Sequence, residues 1–309
     1  MRKAFVESLC CAAAADQRVL LLTGDLGFMA LEPFRDRFPS HFFNVGVAEQ
    51  NLIGIATGLA EAGFIPYAYS IAAFASLRPF EFIRNGPVLH HLPVRIVGMG
   101  MGFEYGHAGP SHYALEDVCV MRTLPGLTVV IPADSAQTRT AMERTRTLPG
   151  PVYYSLGKDD RAVVPGLNGQ FELGRIQTVR SGSDLAIVSM GSITSEAVAA
   201  ADELAAFGIH ATVAVVSNFG PDPVDDLGAL LAGVPHVISL EAQAISGGLG
   251  ALLGQVIATR QLRCRLWPLA VRVPPDGYSG SQMDCWRRHG LDRTAVVSCA
   301  RAALGRQQQ

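Results

Sequence analysis

From end to end the chain alternates between short apolar runs and longer segments with helical spacing. Runs with strand character are Val19–Leu22, Ile65–Tyr69, Val94–Val97, Leu127–Ile131 and Val152–Ser155. Between them, Ala48–Ala62, Pro79–Leu89 and Ser135–Arg146 repeat apolar residues at helical intervals. A strand that is apolar on both faces must be covered on both, so the rhythm predicts parallel sheets between helix layers. Gly157–Ser183 interrupts it with Gly, Pro, Asn and charge. The rhythm resumes with strands at Leu185–Met190, Ala211–Ser217, His236–Leu240 and Leu269–Val273, and helices at Thr194–Phe207, Gly248–Thr259 and Thr294–Leu304. A chain of 309 residues holds two such domains, placed at 1–160 and 184–309 with a linker at 161–183. The tail Arg306–Gln309 reads as frayed.

Lysines and arginines number 25 against 27 aspartates and glutamates, a formal charge of −2. That balance offers no general surface for a polyanion, so nucleic acid is not an expected partner. Cys10, Cys11, Cys119, Cys264, Cys285 and Cys299 show neither C-x-x-C pairs nor zinc spacing, and read as reduced thiols of a cytoplasmic protein. Met1-Arg2-Lys3 imitates the start of an export signal, but Glu7 falls where the apolar stretch should continue, so no export is expected. Ile53–Leu77 carries one charged carboxylate, Glu61, yet its Gly63-Phe64-Ile65-Pro66 break reads as a helix-to-strand turn inside a core.

Three strings put polar or glycine residues where chemistry can use them. In Asn44-Val45-Gly46-Val47-Ala48-Glu49, the carboxylate of Glu49 falls in the first turn of a long apolar helix. There it either interacts with the helix macrodipole, worth about 0.3–1 kcal/mol, or exchanges a proton from a partly desolvated position. The loop Gly106–Asp117 presents His107 and His112 ahead of Glu116-Asp117, with no spacing that closes a metal site. It reads as a solvated turn or as a catalytic or binding loop. Gly247-Gly248-Leu249-Gly250 lacks the spacing of a dinucleotide or phosphate loop and suits close helix–strand packing.

Taken together, TGDLG at 23–27, FFNVGVAEQNLIGIATGLA at 42–60, YGHAGPSHYALED at 105–117 and RTLPGLTVVIPAD at 122–134 resemble the transketolase family of thiamine diphosphate enzymes. The resemblance runs over nearly the whole chain, to the C-terminal half of that family. It implies two tandem three-layer α/β/α domains with mainly parallel sheets: a pyrimidine-binding domain, then a transketolase C-terminal domain. Glu49 resembles the family glutamate that hydrogen-bonds the cofactor's aminopyrimidine and drives removal of the thiazolium proton. Phe74 falls where the family stacks an aromatic on that ring, Ile71 where many members carry a second aromatic, and Asp25 where an acid lies near the thiazolium. His112 resembles the substrate-facing histidine, with His107 in the same loop, while Lys158 and Arg2 lie near positions that bind a substrate phosphate.

The departures from the family are as informative. Its aspartate before Gly-Pro is Ala108 here, and an upstream histidine aligns with Gly100. Without these contacts to donor hydroxyls, a modified sugar or a different ketol or acyl donor is expected rather than an ordinary pentose phosphate. The Gly-Asp-Gly motif that holds Mg²⁺ on the diphosphate is absent from the sequence. The resemblance therefore implies the C-terminal subunit of a split transketolase, with thiamine diphosphate and Mg²⁺ completed by an N-terminal subunit in an α2β2 assembly. Such a subunit would transfer a ketol unit to an aldehyde. The alternative is the beta subunit of a thiamine-dependent 2-oxo-acid dehydrogenase, or an acyloin- or deoxyxylulose-phosphate-forming enzyme. A non-enzymatic assembly protein is disfavoured by the presence of Glu49 and Phe74.

Overall fold

The computed structural model describes residues 1–272 and 276–306. Its strands are β1 Val19–Thr23, β2 Phe42–Asn44, β3 Ile65–Ile71, β4 Arg95–Met99, β5 Thr128–Val130, β6 Val152–Leu156, β7 Ile176–Arg180, β8 Leu185–Ser189, β9 Ala211–Val216, β10 Asn218–Phe219, β11 His236–Ala244 and β12 Arg265–Val271. They form a seven-stranded sheet in the order β10-β5-β6-β4-β3-β1-β2 and a five-stranded sheet in the order β12-β11-β8-β9-β7. Pairing is parallel except for β10 on β5 and β7 on β9. This is the mainly parallel α/β architecture that the apolar strands demanded. β1, β4, β6, β8 and β9 are buried at every position, as strands covered on both faces must be.

Several elements differ from the sequence expectation. The segment taken as linker, 161–183, contains β7, and Val164, Leu167 and Phe171 within it are buried. It clamps both domains instead of merely joining them. Asn218–Phe219 of the second domain pairs with Val129 and Val130, extending the first sheet. One apolar core therefore runs across the boundary, with Leu127, Ile131 and Phe219 beside Val188 and Val216. The helix expected at Pro79–Leu89 is a short turn, Phe80–Ile83, followed by a π-helical turn Arg84–Val88 around Pro87. Proline has no N–H to donate, so the regular ladder cannot run through it. The segment that imitates the start of an export signal forms the helix Arg2–Ala15, packed on the sheet. The strand expected at Leu269–Val273 starts earlier, at Arg265, and tolerates Pro268 because it is an edge strand. Val273 and the tail residues Gln307–Gln309 lie outside the described residues. Among the described residues no helix is long and apolar enough to cross a membrane. Four of the six cysteines are buried, and all six are free.

The glycine string after β11 is used for packing. A Cβ on Gly248 would collide with Oε2 of Glu241. The N–H groups of Leu249 and Gly250 donate to the two Glu241 oxygens at 2.8 Å each, so the helix N-terminus binds an anion that belongs to the chain itself. Burial nevertheless pushes Glu241 up to about 7. It also pushes Asp117 up to about 6, against hydrogen bonds from Ser155 and Tyr153. Acids whose folded pKa is raised bind protons more readily in the folded state. Their stabilisation is complete below their unfolded pKa and is lost as pH rises through the folded value. The thermal unfolding midpoint is therefore expected to fall between about pH 4.5 and pH 7, more shallowly in Glu241→Gln and Asp117→Asn. Identical slopes in wild type and both variants, followed by calorimetry, would remove these two groups from the account.

Candidate active site

Strand order reverses at β1, with β2 on one side and β3 on the other. Open α/β sheets bind ligands outside the carboxyl ends of their strands at such a switch point. Gly24 and Asp25 follow β1 there, Ser70 and Ile71 end β3, and Glu49 opens the helix Glu49–Glu61 that leads from β2 to β3. Three sequence-predicted positions thus converge without any being neighbours in the chain.

Glu49 is 2% exposed although its helix has no side-chain cap. The Ser70 hydroxyl donates to Oε1 at 2.9 Å, and Arg78 Nη1 donates to Oε2 at 2.8 Å. A buried carboxylate needs such partners, because the penalty for desolvating an ion alone is several kcal/mol. Arg78 itself is 44% exposed and reaches inward past Phe74, its guanidinium carbon 3.8 Å from the ring centroid. Phe74 lies in the helix Ala72–Leu77, and Arg78 is its C-cap four residues on, the spacing that puts two side chains on one helical face. Ile71, half-buried, is the N-cap of the same helix.

The group continues through rings. His112 lies 5.0 Å from Phe74, centroid to centroid, at 62°. Tyr105 lies 6.2 Å beyond His112, and Lys158 Nζ stands 3.9 Å over the Tyr105 ring. Desolvation lowers the Lys158 pKa, Glu104 opposes that, and Arg2 adds to it, which places Arg2 within charge range of this end. Glu49, Arg78, Phe74, His112, Tyr105 and Lys158 therefore form one continuous line of contacts. Asp25 lies near the Glu49 end, since a Cβ on its neighbour Gly24 would meet Glu49 Oε1 at 3.7 Å; it adopts φ +58° and exchanges hydrogen bonds with Asn44 at 2.8 and 3.0 Å. His107 departs from the expected grouping. It is exposed.

Sequence reasoning missed Arg78 and Tyr105. Arg78 was legible only as the residue one turn after Phe74. Tyr105 accounts for a bare position: a Cβ on Gly100 would run into two carbons of its ring. The space a side chain at 100 would take is filled by an aromatic ring from five residues on. Ala108, the other departure, is exposed. Cavities of about 480 and 590 Å³ flank the N-terminal helix, and neither is lined by Glu49 or Phe74. Among the described residues no group of three or more His, Cys, Asp or Glu could hold a metal ion.

Two coupled α/β domains with a buried acid at the switch point of the first define an enzyme subunit whose site opens at the surface. The chain belongs to the transketolase family: residues 1–161 match the transketolase pyrimidine-binding domain and residues 174–295 the transketolase C-terminal domain. Its relatives of similar length are transketolase-type transferases split into subunits. The chain is 35% identical over 260 residues to a 6-deoxy-6-sulfo-D-fructose transketolase subunit of Clostridium sp. strain MSTE9, covering 83% of this chain and 80% of that one. It is 30% identical over 305 residues to one of the subunits of an apulose-4-phosphate transketolase from Phocaeicola vulgatus, covering 97% and 96%. A split-gene transketolase solved as an inactive β4 tetramer superposes with a TM-score of 0.89 at 33% identity, over 99% of both chains. The transketolase of Campylobacter jejuni shares the fold at 18% identity and a TM-score of 0.78, covering 96% of this chain and 45% of that one.

Proposed function

We propose that this chain is the C-terminal half of a two-component, thiamine diphosphate-dependent transketolase moving a ketol unit from a ketose or modified sugar to an aldehyde. The observation that carries the reading is the buried Glu49 carboxylate beside Phe74, with a flat N–H-bearing group already accommodated between them. A slot that takes a guanidinium on those contacts fits an aminopyrimidine. When bound, thiamine diphosphate supplies the nucleophilic ring carbon and the electron sink for breaking the donor's carbon–carbon bond. Glu49 then holds a proton against a pyrimidine nitrogen, with Ser70 fixing its other oxygen. Phe74 and Ile71 would hold the ring, and the Asp25 carboxylate would offset the positive charge of the thiazolium. His112, next along the line, moves or holds a proton at a substrate oxygen. Lys158 and Arg2 form the cationic far end, suited to a phosphate or sulfonate. The two named relatives act on sugars that carry such groups, which supports this placement and the modified-sugar reading. Gly100 and Ala108 carry no polar side chain to meet a donor hydroxyl, in the same sense.

The diphosphate and Mg²⁺ need a partner subunit. Around the site, Phe43, Val47, Ile55, Leu77 and Phe82 are exposed apolar side chains, Val47 at 71%. The helix Glu49–Glu61 carries no charge between its end residues and exposes Asn51, Gly54, Ile55 and Gly58. An uncharged helix face ringed by apolar side chains is a docking surface, here for the N-terminal subunit in an α2β2 assembly in the cytoplasm. The test combines this chain with the co-encoded polypeptide carrying Gly-Asp-Gly, thiamine diphosphate and Mg²⁺. Ketol transfer from a ketose to an aldehyde is the expected result. Release of CO₂ from pyruvate or another 2-oxo acid without ketol transfer would move the chain to the dehydrogenase or deoxyxylulose-phosphate-synthase class.

A further inference from the structure

Arg78 touches both groups that the cofactor reading assigns to the aminopyrimidine. Its guanidinium lies 3.8 Å over Phe74, at the distance of a stacked ring, and donates to Glu49 Oε2 at 2.8 Å. It also shares that ring's chemistry, being planar, rich in N–H donors and cationic like a protonated aminopyrimidine. The two cannot occupy one face of Phe74 and one carboxylate oxygen together.

The ion pair is asymmetric in a way that suits exchange. Glu49 is locked at 2% exposure, whereas Arg78 is 44% exposed at the end of a short helix. The carboxylate cannot leave, but the arginine can swing out into solvent. While it stays, it neutralises a buried charge that would otherwise stand with a single hydroxyl partner. With Ser70 on Oε1 and Arg78 on Oε2, the approach to Oε2 along the Phe74 face is taken by the guanidinium.

We propose that Arg78 holds the aminopyrimidine place in the unloaded chain and must be displaced for the cofactor to bind. The inference rests on the cofactor reading above. It adds a displacement step at the catalytic glutamate, so that unloaded Glu49 is stabilised and loading is slowed.

The test is thiamine diphosphate binding, followed by stopped-flow protein fluorescence and titration calorimetry, to the complex of this chain with its Gly-Asp-Gly partner and Mg²⁺. In the wild type the observed loading rate is expected to saturate with cofactor concentration, at the rate of arginine release. Arg78→Met should give a rate that rises linearly, with affinity about tenfold tighter. Because Met leaves Glu49 with one partner, Arg78→Gln, which can still donate an N–H to the carboxylate, is run beside it and should shift in the same direction. Weaker binding in both variants, or an unchanged rate law, would overturn the proposal and make Arg78 a residue that holds Glu49 in place throughout. If the wild-type complex shows no thiamine diphosphate binding at all, the cofactor reading itself has failed.

Discussion

Glu49→Gln in the assembled enzyme is expected to lower kcat by about 10²–10⁴-fold, the usual contribution of a positioned general acid–base. Glutamine keeps the volume and can still accept the Ser70 hydrogen bond at Oε1. It cannot hold a transferable proton against the cofactor's ring nitrogen. Thiamine diphosphate should therefore still bind, since Phe74 and every other contact are untouched. A large loss in kcat with near-normal cofactor affinity would place Glu49 in proton transfer. A kcat within a few-fold of wild type would take it out, and the helix-start role in the macrodipole would then be the better account of this acid.

The second large effect concerns assembly. Val47→Asp or Ile55→Asp puts a carboxylate on the exposed apolar face beside the site. In the free chain Val47 is 71% exposed and Ile55 38%, so the fold should persist in both, with little change in melting point for Val47→Asp and a modest fall for Ile55→Asp. Docked against a partner, the charge would be desolvated at a cost of several kcal/mol. Each 1.4 kcal/mol is tenfold, so affinity for the partner subunit should drop at least about a hundredfold. Analytical ultracentrifugation of the mixed subunits reads this directly. A substitution away from this face, such as Val163→Asp at a position also 71% exposed, serves as the control. Equal affinities for all of them would sink the docking face.

The sheet strands were readable where burial on both faces forced an unbroken apolar run. Ile65–Tyr69 and Leu185–Met190 sit within a residue or two of β3 and β8. The strands that escaped are those whose pairing is decided by tertiary contact. β10 is two residues long, β2 is half exposed, and β7 is an edge strand buried mainly at Gln177. None of them carries a periodicity long enough to be seen. At the site, Glu49 and His112 stood out because each lies in a string of glycine and polar residues that only a resemblance could read. Arg78 lies in ordinary apolar sequence, and Tyr105 opens the string at 105–117 without any spacing that marks its role. Their significance appears only when Phe74 and Gly100 acquire coordinates, because both act by filling space that other side chains define.

The crossing strand β10 bears on how such a subunit can change over time. Asn218 and Phe219 finish the sheet of the domain that carries Glu49, although they belong to the other half of the chain. An exchange of C-terminal domains between relatives by recombination would strip β5 of its outer neighbour unless these two residues travelled with a compatible surface. The two halves are separable on paper at the interdomain segment, but the β10–β5 pairing and the shared core make them one piece of architecture.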